Sequence, residues 1–417
     1  KKMNKIGLLA VLLLIVATSQ AASVEKFLKA SDKGPVRGPD DDETRSFEEI
    51  CNSKNYPFET HKILTDDGYW LTAFRIPGRK GQSVENSKAE HKPVILLQHG
   101  ILDSADTFIM NEEMKAPAFM LANEGYDVWL SNSRGNKYSR EHKYLDPDSS
   151  EDKAKFWDYS FEEMGMYDVK ANVEYILNET GKKKLAIAAH SQGTTQMMFA
   201  MTNNNKWWNE RVAIFVCLAG VARLENCGSN LLQYLAKETF VVNTIKALGI
   251  NEMFPSKYYE NIIFSVVCKT LPSICDFFLD IISDDDAKIN NQKRLGVFMG
   301  HYPAGTSVKS LDHFAQIIRA KQFQRYDYGS AINMEKYGQK TPPVIDLTKI
   351  KGTKIIQIAG TKDKLGDPVD NKWLKEQLRD NLIYFNYYEL GHMSFLLAND
   401  MTFMIDVIDL LRKNPWQ

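Results

Sequence analysis

Short apolar runs of strand length alternate with helical patterns along two parts of the chain. The strand-like runs lie at residues 61–64, 69–76, 94–98, 126–131, 213–218, 354–358 and 382–388. Segments with helical periodicity lie at residues 119–124, 164–180, 369–378 and 394–412. Some runs are apolar at every position, as in strands whose two faces are both covered. The alternation therefore predicts an α/β fold with a mostly parallel, doubly wound central sheet and helices on both faces.

This alternation of strand-like runs and helical patterns is absent from the sequence between about residues 222 and 345. Apolar clusters there are interrupted by prolines such as Pro255 and by the acidic residues 284–286. The simplest organisation is one core, formed by residues 46–221 and 346–417, with a mainly helical cap at residues 222–345 inserted in it.

The N-terminal residues have the pattern of a targeting segment. Lysines precede an apolar run at residues 6–17, and small residues follow it up to a predicted cleavage site after Ala21. A membrane anchor is the alternative, but the run is short for spanning and no stop-transfer pattern follows. We therefore predict a signal peptide at residues 1–21, followed by a polar, flexible leader at residues 22–45.

Composition narrows the function classes. The 417 residues carry a net charge of −1 and are 44% hydrophobic and 25% charged, which is typical of a globular protein and gives no charge excess for nucleic-acid binding. No metal-ligand spacing, phosphate loop or dinucleotide fingerprint occurs, so we predict no metal, no cofactor and no obligate protein partner. Asn178 begins an Asn-Glu-Thr sequon in a predicted surface turn and is the candidate glycosylation site.

Five cysteines in a secretory protein allow at most two disulfides. Cys268 and Cys275 are close together in an apolar segment and form the preferred pair. Cys217 lies in a strand-like run and is expected to be buried, whereas the pairing of Cys51 and Cys227 stays open.

Residues 184–200 combine an apolar run, a small-residue turn and a segment with helical content. Ser191 stands at the turn between Ala189 and Gly193, which is the sequence form of a nucleophile elbow. Small neighbours are required because the departing helix crosses close to the strand and the serine holds a strained backbone conformation. The amide of Gln192 would then face the oxygen on which negative charge develops. A plain turn is the alternative, so the chain must also supply a base, an acid and a second oxyanion donor.

The base in this architecture follows the serine in the chain, after the acid. Beyond Ser191 the histidines are His301 and His313, both in the predicted cap, and His392. His392 follows a strand at the point where a loop gives way to a helix, and it is the predicted base. A surface or helix-capping histidine is the alternative.

Two aspartates follow the preceding strand and compete for the role of the acid. Asp363 lies nearer the strand end, whereas Asp367 precedes a proline and has the pattern of a turn or helix start. Asp363 is the predicted acid, which would hold the tautomer of His392 and stabilise its imidazolium form.

A second oxyanion donor is expected in the loop after the strand at residues 94–98. Gly100 allows a sharp turn there, which leaves the amide of Ile101 free to point inward, with Leu102 as the fallback. A strand-ending turn without a catalytic role is the alternative.

From about residue 47 to the C-terminus the chain resembles the acid lipase family of animals and fungi, which includes gastric lipase and lysosomal acid lipase. The segments that carry the resemblance are residues 97–102, 129–136, 156–157, 168, 190–195, 303–307, 326–330, 363–368 and 391–392. Two of them, Asn-Ser-Arg-Gly-Asn and Pro-Ala-Gly-Thr-Ser, are specific to that family. The resemblance implies the α/β-hydrolase fold.

Residue by residue, the resemblance implies that Ser191 is the nucleophile, Asp363 the acid and His392 the base, with Ile101 and Gln192 as the oxyanion donors. These are the roles that the motifs indicate.

The resemblance also implies a lid at about residues 250–283, with Cys268 and Cys275 at the family's disulfide positions. Three features depart from the family pattern: Ala189 replaces a glycine at the elbow, Gly391 precedes the histidine, and the span between the two cysteines is shorter.

Together these features predict a secreted or lysosomal lipase that cleaves neutral lipid esters, triacylglycerol or sterol ester, through an acyl-enzyme. A carboxylesterase of shorter or non-glyceride esters is the runner-up, and a catalytically silent lipid-binding protein is the non-enzyme alternative. We expect the lid to cover Ser191 in water and to open at a lipid surface, although most of its apolar residues would also suit the cap's own core.

Overall fold

A computed structural model describes residues 40–88, 91–255 and 287–416 of this protein. The predicted signal peptide, most of the predicted leader, most of the predicted lid, and Cys268 and Cys275 lie outside the described residues. Within the described ranges, no helix is both long enough and apolar enough to cross a bilayer.

The strands are β1 (Glu59–Leu64), β2 (Tyr69–Ile76), β3 (Val94–Gln98), β4 (Asp127–Leu130), β5 (Glu141–His142), β6 (Leu185–His190), β7 (Val212–Leu218), β8 (Glu252–Met253), β9 (Thr306–Ser307), β10 (Lys354–Gly360) and β11 (Leu382–Tyr388). Among the described residues, nine of them form one sheet in the order β1-β2-β4-β3-β6-β7-β10-β11, with β5 on β2. Strands β4, β3, β6, β7, β10 and β11 run parallel, and the pairs β1–β2, β2–β4 and β2–β5 are antiparallel.

The helices are α1 (Phe47–Ser53), α2 (Val84–Lys88), α3 (Pro117–Asn123), α4 (Lys153–Phe156), α5 (Phe161–Glu163), α6 (Lys170–Thr180), α7 (Gln192–Asn203), α8 (Asn205–Arg211), α9 (Asn230–Lys237), α10 (Thr239–Ala247), α11 (Leu295–His301), α12 (Val308–Ala320), α13 (Ser330–Tyr337), α14 (Pro368–Leu378), α15 (Ser394–Leu397) and α16 (Thr402–Lys413). A π-helical turn, Met164–Val169, precedes α6.

The sheet is covered on both faces, because alternate residues of its parallel strands belong to two different apolar clusters. Leu96 and Ile187 pack in one cluster, whereas their neighbours Ile95 and Ala188 pack in the other. Side chains alternate between the two faces of a strand, so unbroken apolar runs are what two covered faces require. The predicted doubly wound α/β-hydrolase fold is confirmed.

Between β7 and β10 the described residues are mainly helical, and a two-stranded ladder pairs β8 with β9. Helices α9, α10 and α12 contact one another there. The boundaries of the cap at residues 222–345 stay a prediction.

Two predicted helices differ from the structure. The segment 164–180 begins with the π-helical turn, where a Cβ on Gly165 would lie 2.6 Å from the Gln196 carbonyl oxygen of α7. Close crossing of two backbones accounts for the glycine. The segment 394–412 is two helices, α15 and α16, which are separated at residues 398–401.

The end of the predicted leader is folded rather than flexible. Asp41–Glu43 form a 3₁₀ turn, and a Cβ on Gly300 of α11 would lie 2.2 Å from the Glu43 carbonyl oxygen. Asp42 is buried and accepts bonds from Lys54 Nζ at 2.5 Å and from Arg294 Nη2 at 2.8 Å. These ion pairs fix residues 40–45 to the end of α1 and the start of α11. The polar composition of the leader gave no indication of them.

Replacing Asp42 by Asn is expected to lower the free energy of unfolding by about 2 kcal/mol at pH 7. Burial opposes ionisation of Asp42, but bonds from Lys54 and Arg294 outweigh it and lower the pKa from 3.8 to about 2. A folded-state pKa below the unfolded one gives stability that is present above about pH 4 and is lost as the pH falls through about 2. The difference between wild type and variant, measured by urea unfolding, should therefore vanish near pH 2. The control is Asp41→Asn, since Asp41 is exposed and pairs only with Arg45 among the described cations. Equal effects of the two substitutions would contradict this account.

Candidate active site

The predicted nucleophile elbow lies where β6 passes into α7. Ser191 has φ 54° and ψ −125°, a strained conformation for a residue with a side chain, and it is buried. A Cβ on Gly193 would lie 2.7 Å from the Gln98 carbonyl oxygen and 2.8 Å from that of His99, so α7 begins almost in contact with the end of β3. The close approach requires glycine at residue 193, as the motif predicts.

Ala189, the departure from the family's glycine, is fully buried within β6. It pairs in register with Gln98 of β3 and Cys217 of β7. The strand accommodates its methyl group inside one of the two apolar clusters.

The structure brings Ser191, His392 and Asp363 together. His392 Nε2 lies 2.7 Å from Ser191 Oγ, and His392 Nδ1 lies 2.9 Å from Asp363 Oδ2 and 3.0 Å from Oδ1. All three side chains are buried. Because a carboxylate only accepts hydrogen bonds, Nδ1 carries the proton and Nε2 is free to accept the serine hydrogen.

The loop after β10 holds Asp363 in place through its own backbone. Oδ1 accepts from Leu365 N at 2.9 Å and from Gly366 N at 2.7 Å. Asn371 Nδ2, from α14, donates to the Gly366 carbonyl at 2.8 Å. Asp367, the competing acid of the sequence analysis, instead accepts from Val369 N at 2.7 Å and caps α14. The geometry therefore favours Asp363.

The segment after β3 lies against Ser191. A Cβ on Gly100 would lie 3.0 Å from Ser191 Cβ and 3.3 Å from Ser191 Oγ. Leu102 has φ 60°, and its carbonyl accepts from Ala304 N of the cap at 2.7 Å. Ile101 thus follows directly on a backbone in contact with Ser191, and Gln192 opens the twelve-residue helix α7.

The Asn-Ser-Arg-Gly-Asn segment, residues 132–136, forms hydrogen bonds with the residues that follow this loop. Asn132 Oδ1 accepts from Ala105 N at 2.9 Å, and Asn136 Nδ2 donates to the Asp103 carbonyl at 3.2 Å. Arg134 between them is buried, and its guanidinium bonds Asp168 and Asp67. The family-specific motif is therefore a support for the loop that carries Ile101.

Sequence reasoning did not single out His190. Its Nε2 lies 2.9 Å from the His392 carbonyl oxygen, to which it must donate, because a carbonyl oxygen only accepts. Burial, together with the adjacent His392 ring, holds the pKa of His190 well below its ordinary value. The neutral ring thereby connects the turn at Ser191 to the loop that carries His392. The sequence carries no signal for this contact beyond the position of His190 next to the serine.

Of the other predicted residues, Asn178 is exposed as expected, but it lies in the last turn of α6 rather than in a surface turn. Its glycosylation stays a prediction. Cys217 is buried in β7 as expected, and Cys51 and Cys227 are likewise buried thiols. His301 and His313 are both buried away from the three residues and have other partners: Asp106 for His301, and Ser160 and the Gln324 carbonyl for His313.

Gly193→Ala is expected to lower ester hydrolysis by about 10²-fold, since the added methyl must push the start of α7 off β3 and displace Ser191 and Gln192. The matched control is Gly228→Ala, whose added Cβ would meet Lys364 Cβ at an ordinary 3.4 Å. Steady-state rates on a soluble ester, with circular dichroism as a folding check, make the comparison. Full activity of the Gly193 variant would refute the close-packing account of the elbow.

Comparison with known proteins agrees with this arrangement. A family model described as the alpha/beta hydrolase fold matches residues 93–398, and one for a partial alpha/beta-hydrolase lipase region matches residues 47–112. The chain is 37% identical to gastric triacylglycerol lipase of Rattus norvegicus over 83% of this chain and 85% of that protein. It is 36% identical to lipase member K of Mus musculus over 84% of this chain and 86% of that protein.

A solved structure from Acinetobacter baumannii with a provisional lipase assignment shares the fold. Its TM-score is 0.50 at 15% identity, with 88% of this chain and 94% of that chain covered. The sequence identities to the lipases and the matched family models together place the protein: the chain belongs to the acid lipase family of the α/β hydrolases.

Proposed function

We propose that this protein hydrolyses ester bonds of neutral lipids, triacylglycerol above all, through an acyl-enzyme formed on Ser191. The observation that carries the proposal is the unbroken hydrogen-bonded series from Ser191 Oγ through His392 to Asp363. Relatives named gastric triacylglycerol lipase, which share 37% of their aligned residues with this chain, support the choice of substrate.

In the first half-reaction Ser191 Oγ attacks the ester carbonyl carbon while its proton passes to His392 Nε2. The carbonyl oxygen becomes negative, and the amides of Ile101 and Gln192 stabilise it. The tetrahedral intermediate then collapses, the bond to the alcohol oxygen breaks, and His392 returns the proton to that oxygen. Asp363 keeps its charge throughout and stabilises the imidazolium form of His392.

Water completes the second half-reaction. His392 takes one proton from the water as its oxygen attacks the acyl carbonyl carbon, and the same two amides stabilise the second oxyanion. The ester bond to Ser191 Oγ breaks, His392 protonates that oxygen, and the fatty acid leaves.

Passage through the secretory pathway, to the outside or to the lysosome, is part of the proposal. The pattern of residues 1–21 and the exposure of Asn178 in α6 support it.

Transient contact of the cap with a lipid surface is also proposed. The family resemblance implies a lid at about residues 250–283, and residues that precede this segment expose apolar side chains. Phe240 is 58% exposed and Leu248 is 69% exposed. Burial of such side chains in the acyl region of a lipid surface would stabilise binding there.

Asp363→Asn is expected to lower kcat by about 10⁴-fold, because an amide facing Nδ1 no longer holds the reactive tautomer of His392. Asp367→Asn is the matched control and should retain activity within about twofold, since asparagine caps a helix as well as aspartate does.

An organophosphonate should label wild type and fail to label Ser191→Ala. Labelling of the alanine variant would overturn the assignment of the nucleophile.

The substrate class is tested with wild type on emulsified triacylglycerol, emulsified sterol ester and a soluble short-chain ester, with the rates compared across pH. We expect the highest rate on triacylglycerol. Hydrolysis of the soluble ester alone would identify a carboxylesterase, and no hydrolysis together with tight lipid binding would identify a silent lipid-binding protein.

Replacing both Phe240 and Leu248 by Ser is expected to lower the rate on emulsified lipid by about tenfold or more. Full burial of a large apolar side chain supplies about 1.5–3 kcal/mol, and each substitution removes the part of it that the exposed fraction would gain at the lipid surface. The rate on a soluble short-chain ester should not change. The control is Ile405→Ser, which removes a comparably exposed apolar side chain from α16, outside the cap. An equal loss on both substrates would contradict the surface contact.

A further inference from the structure

His99 is a buried histidine at the end of β3 whose two ring nitrogens have different partners. Nδ1 lies 2.8 Å from the carbonyl oxygen of Gly100. Nε2 lies 2.9 Å from Ser133 N, and Asn136 Nδ2 approaches the same nitrogen at 3.3 Å. The ring therefore bridges the loop after β3 and the Asn-Ser-Arg-Gly-Asn segment.

These partners determine the tautomer of the ring. A backbone N–H can only donate, so the nitrogen facing Ser133 N must be the acceptor and carries no proton. A carbonyl oxygen can only accept, so Nδ1 must carry the proton and donate to Gly100. Burial lowers the pKa of His99 to about 4, against the opposing effects of the Gly100 carbonyl and the nearby Asp106, so the ring is neutral at and above mildly acidic pH.

The Gly100 carbonyl belongs to the same peptide unit as the Ile101 amide. In a planar trans peptide the C=O and N–H bonds point in opposite directions, so a bond that fixes the carbonyl also fixes the N–H. Within the described part of the chain, the Ile101 amide donates to no protein acceptor. The same backbone lies against Ser191, as the close approach of Gly100 shows.

We propose that His99 is a positioning residue for oxyanion stabilisation: its Nδ1–H holds the Gly100–Ile101 peptide in the orientation that aims the Ile101 amide at the reacting ester oxygen. This inference rests on the proposed function, because it presupposes an oxyanion at that place. Among the described residues, the His99 ring makes no hydrogen bond to Ser191 or His392. Ser133 and Asn136 hold the opposite edge of the His99 ring through Nε2. A rotation of the ring that released the Gly100 carbonyl would therefore also break their bonds.

Two substitutions separate the two bonds of the ring. In His99→Asn the side-chain amide nitrogen can occupy the position of Nδ1 and still donate to Gly100, while the acceptor for Ser133 is lost. In His99→Gln the terminal oxygen can occupy the position of Nε2 and still accept from Ser133, while the donor to Gly100 is lost. His99→Asn loses the acceptor that faces Ser133 and Asn136, and His99→Gln loses the donor to Gly100, so both variants should lose thermal stability.

The positioning role predicts that kcat on a soluble ester separates the variants. His99→Gln should lose about 10²-fold in kcat with KM unchanged, because the oxyanion donor is no longer aligned. His99→Asn should stay within about threefold of wild type. Equal kcat values for the two variants, or a greater loss for His99→Asn, would overturn the proposal.

A second measurement on the unaltered protein does not depend on the folding of variants. Nitrogen-15 NMR of histidine-labelled wild type should show His99 as the neutral tautomer protonated at Nδ1 at pH 6, and a ring protonated at Nε2 would overturn the proposal. Organophosphonate labelling of wild type distinguishes failure of the proposed function from failure of the proposed role of His99. Absence of label on Ser191 would refute the proposed function, whereas normal labelling with equal kcat for the two His99 variants would refute only the role of His99.

Discussion

The close approach of α7 to the end of β3 is the constraint on which the rest of the site depends. With Gly193 almost in contact with the carbonyl oxygens of Gln98 and His99, the chain can leave β6 only through a sharp turn, and Ser191 takes a positive φ. Such a conformation costs on the order of 1–3 kcal/mol and persists only when the surroundings enforce it. Here two fully covered faces of the sheet provide that enforcement.

The three loops that meet at Ser191 are each held by buried polar contacts rather than by apolar packing alone. Asn371 holds the loop of Asp363, His190 holds the loop of His392, and the Asn-Ser-Arg-Gly-Asn segment holds the loop that carries Ile101. Arg134 anchors that segment to Asp168. Removing one partner of such a buried ion pair typically costs about 3–5 kcal/mol, because the remaining charge is left buried without compensation. Loops fixed in this way can stabilise charge that develops in the transition state without rearranging first.

Some site residues could be predicted from the sequence because both their residue type and their position next to a predicted strand or turn indicated a role. The sequence indicated Ser191 through its small neighbours, His392 through its place after a strand, and Asp363 through its place near the end of the preceding strand. The structure brings all three together. The folded structure of residues 40–45, at the end of the predicted leader, could not be predicted from the sequence. Its acidic residues have the pattern of a solvated segment, and only the tertiary structure places Lys54 and Arg294 around Asp42. The break between α15 and α16 was missed because the apolar periodicity continues on both sides of it.

The sequence by itself determined the α/β fold, the order of the strands along the chain, the family and the three candidate catalytic side chains. Each of these depends on local periodicity, on turn chemistry or on motifs of neighbouring residues, which the linear chain contains in full. Only the tertiary structure decided the tautomer of His99 and the bond from His190 to the loop of His392. These contacts join residues 34 and 202 positions apart, so their geometry exists only once the sheet and its loops are assembled.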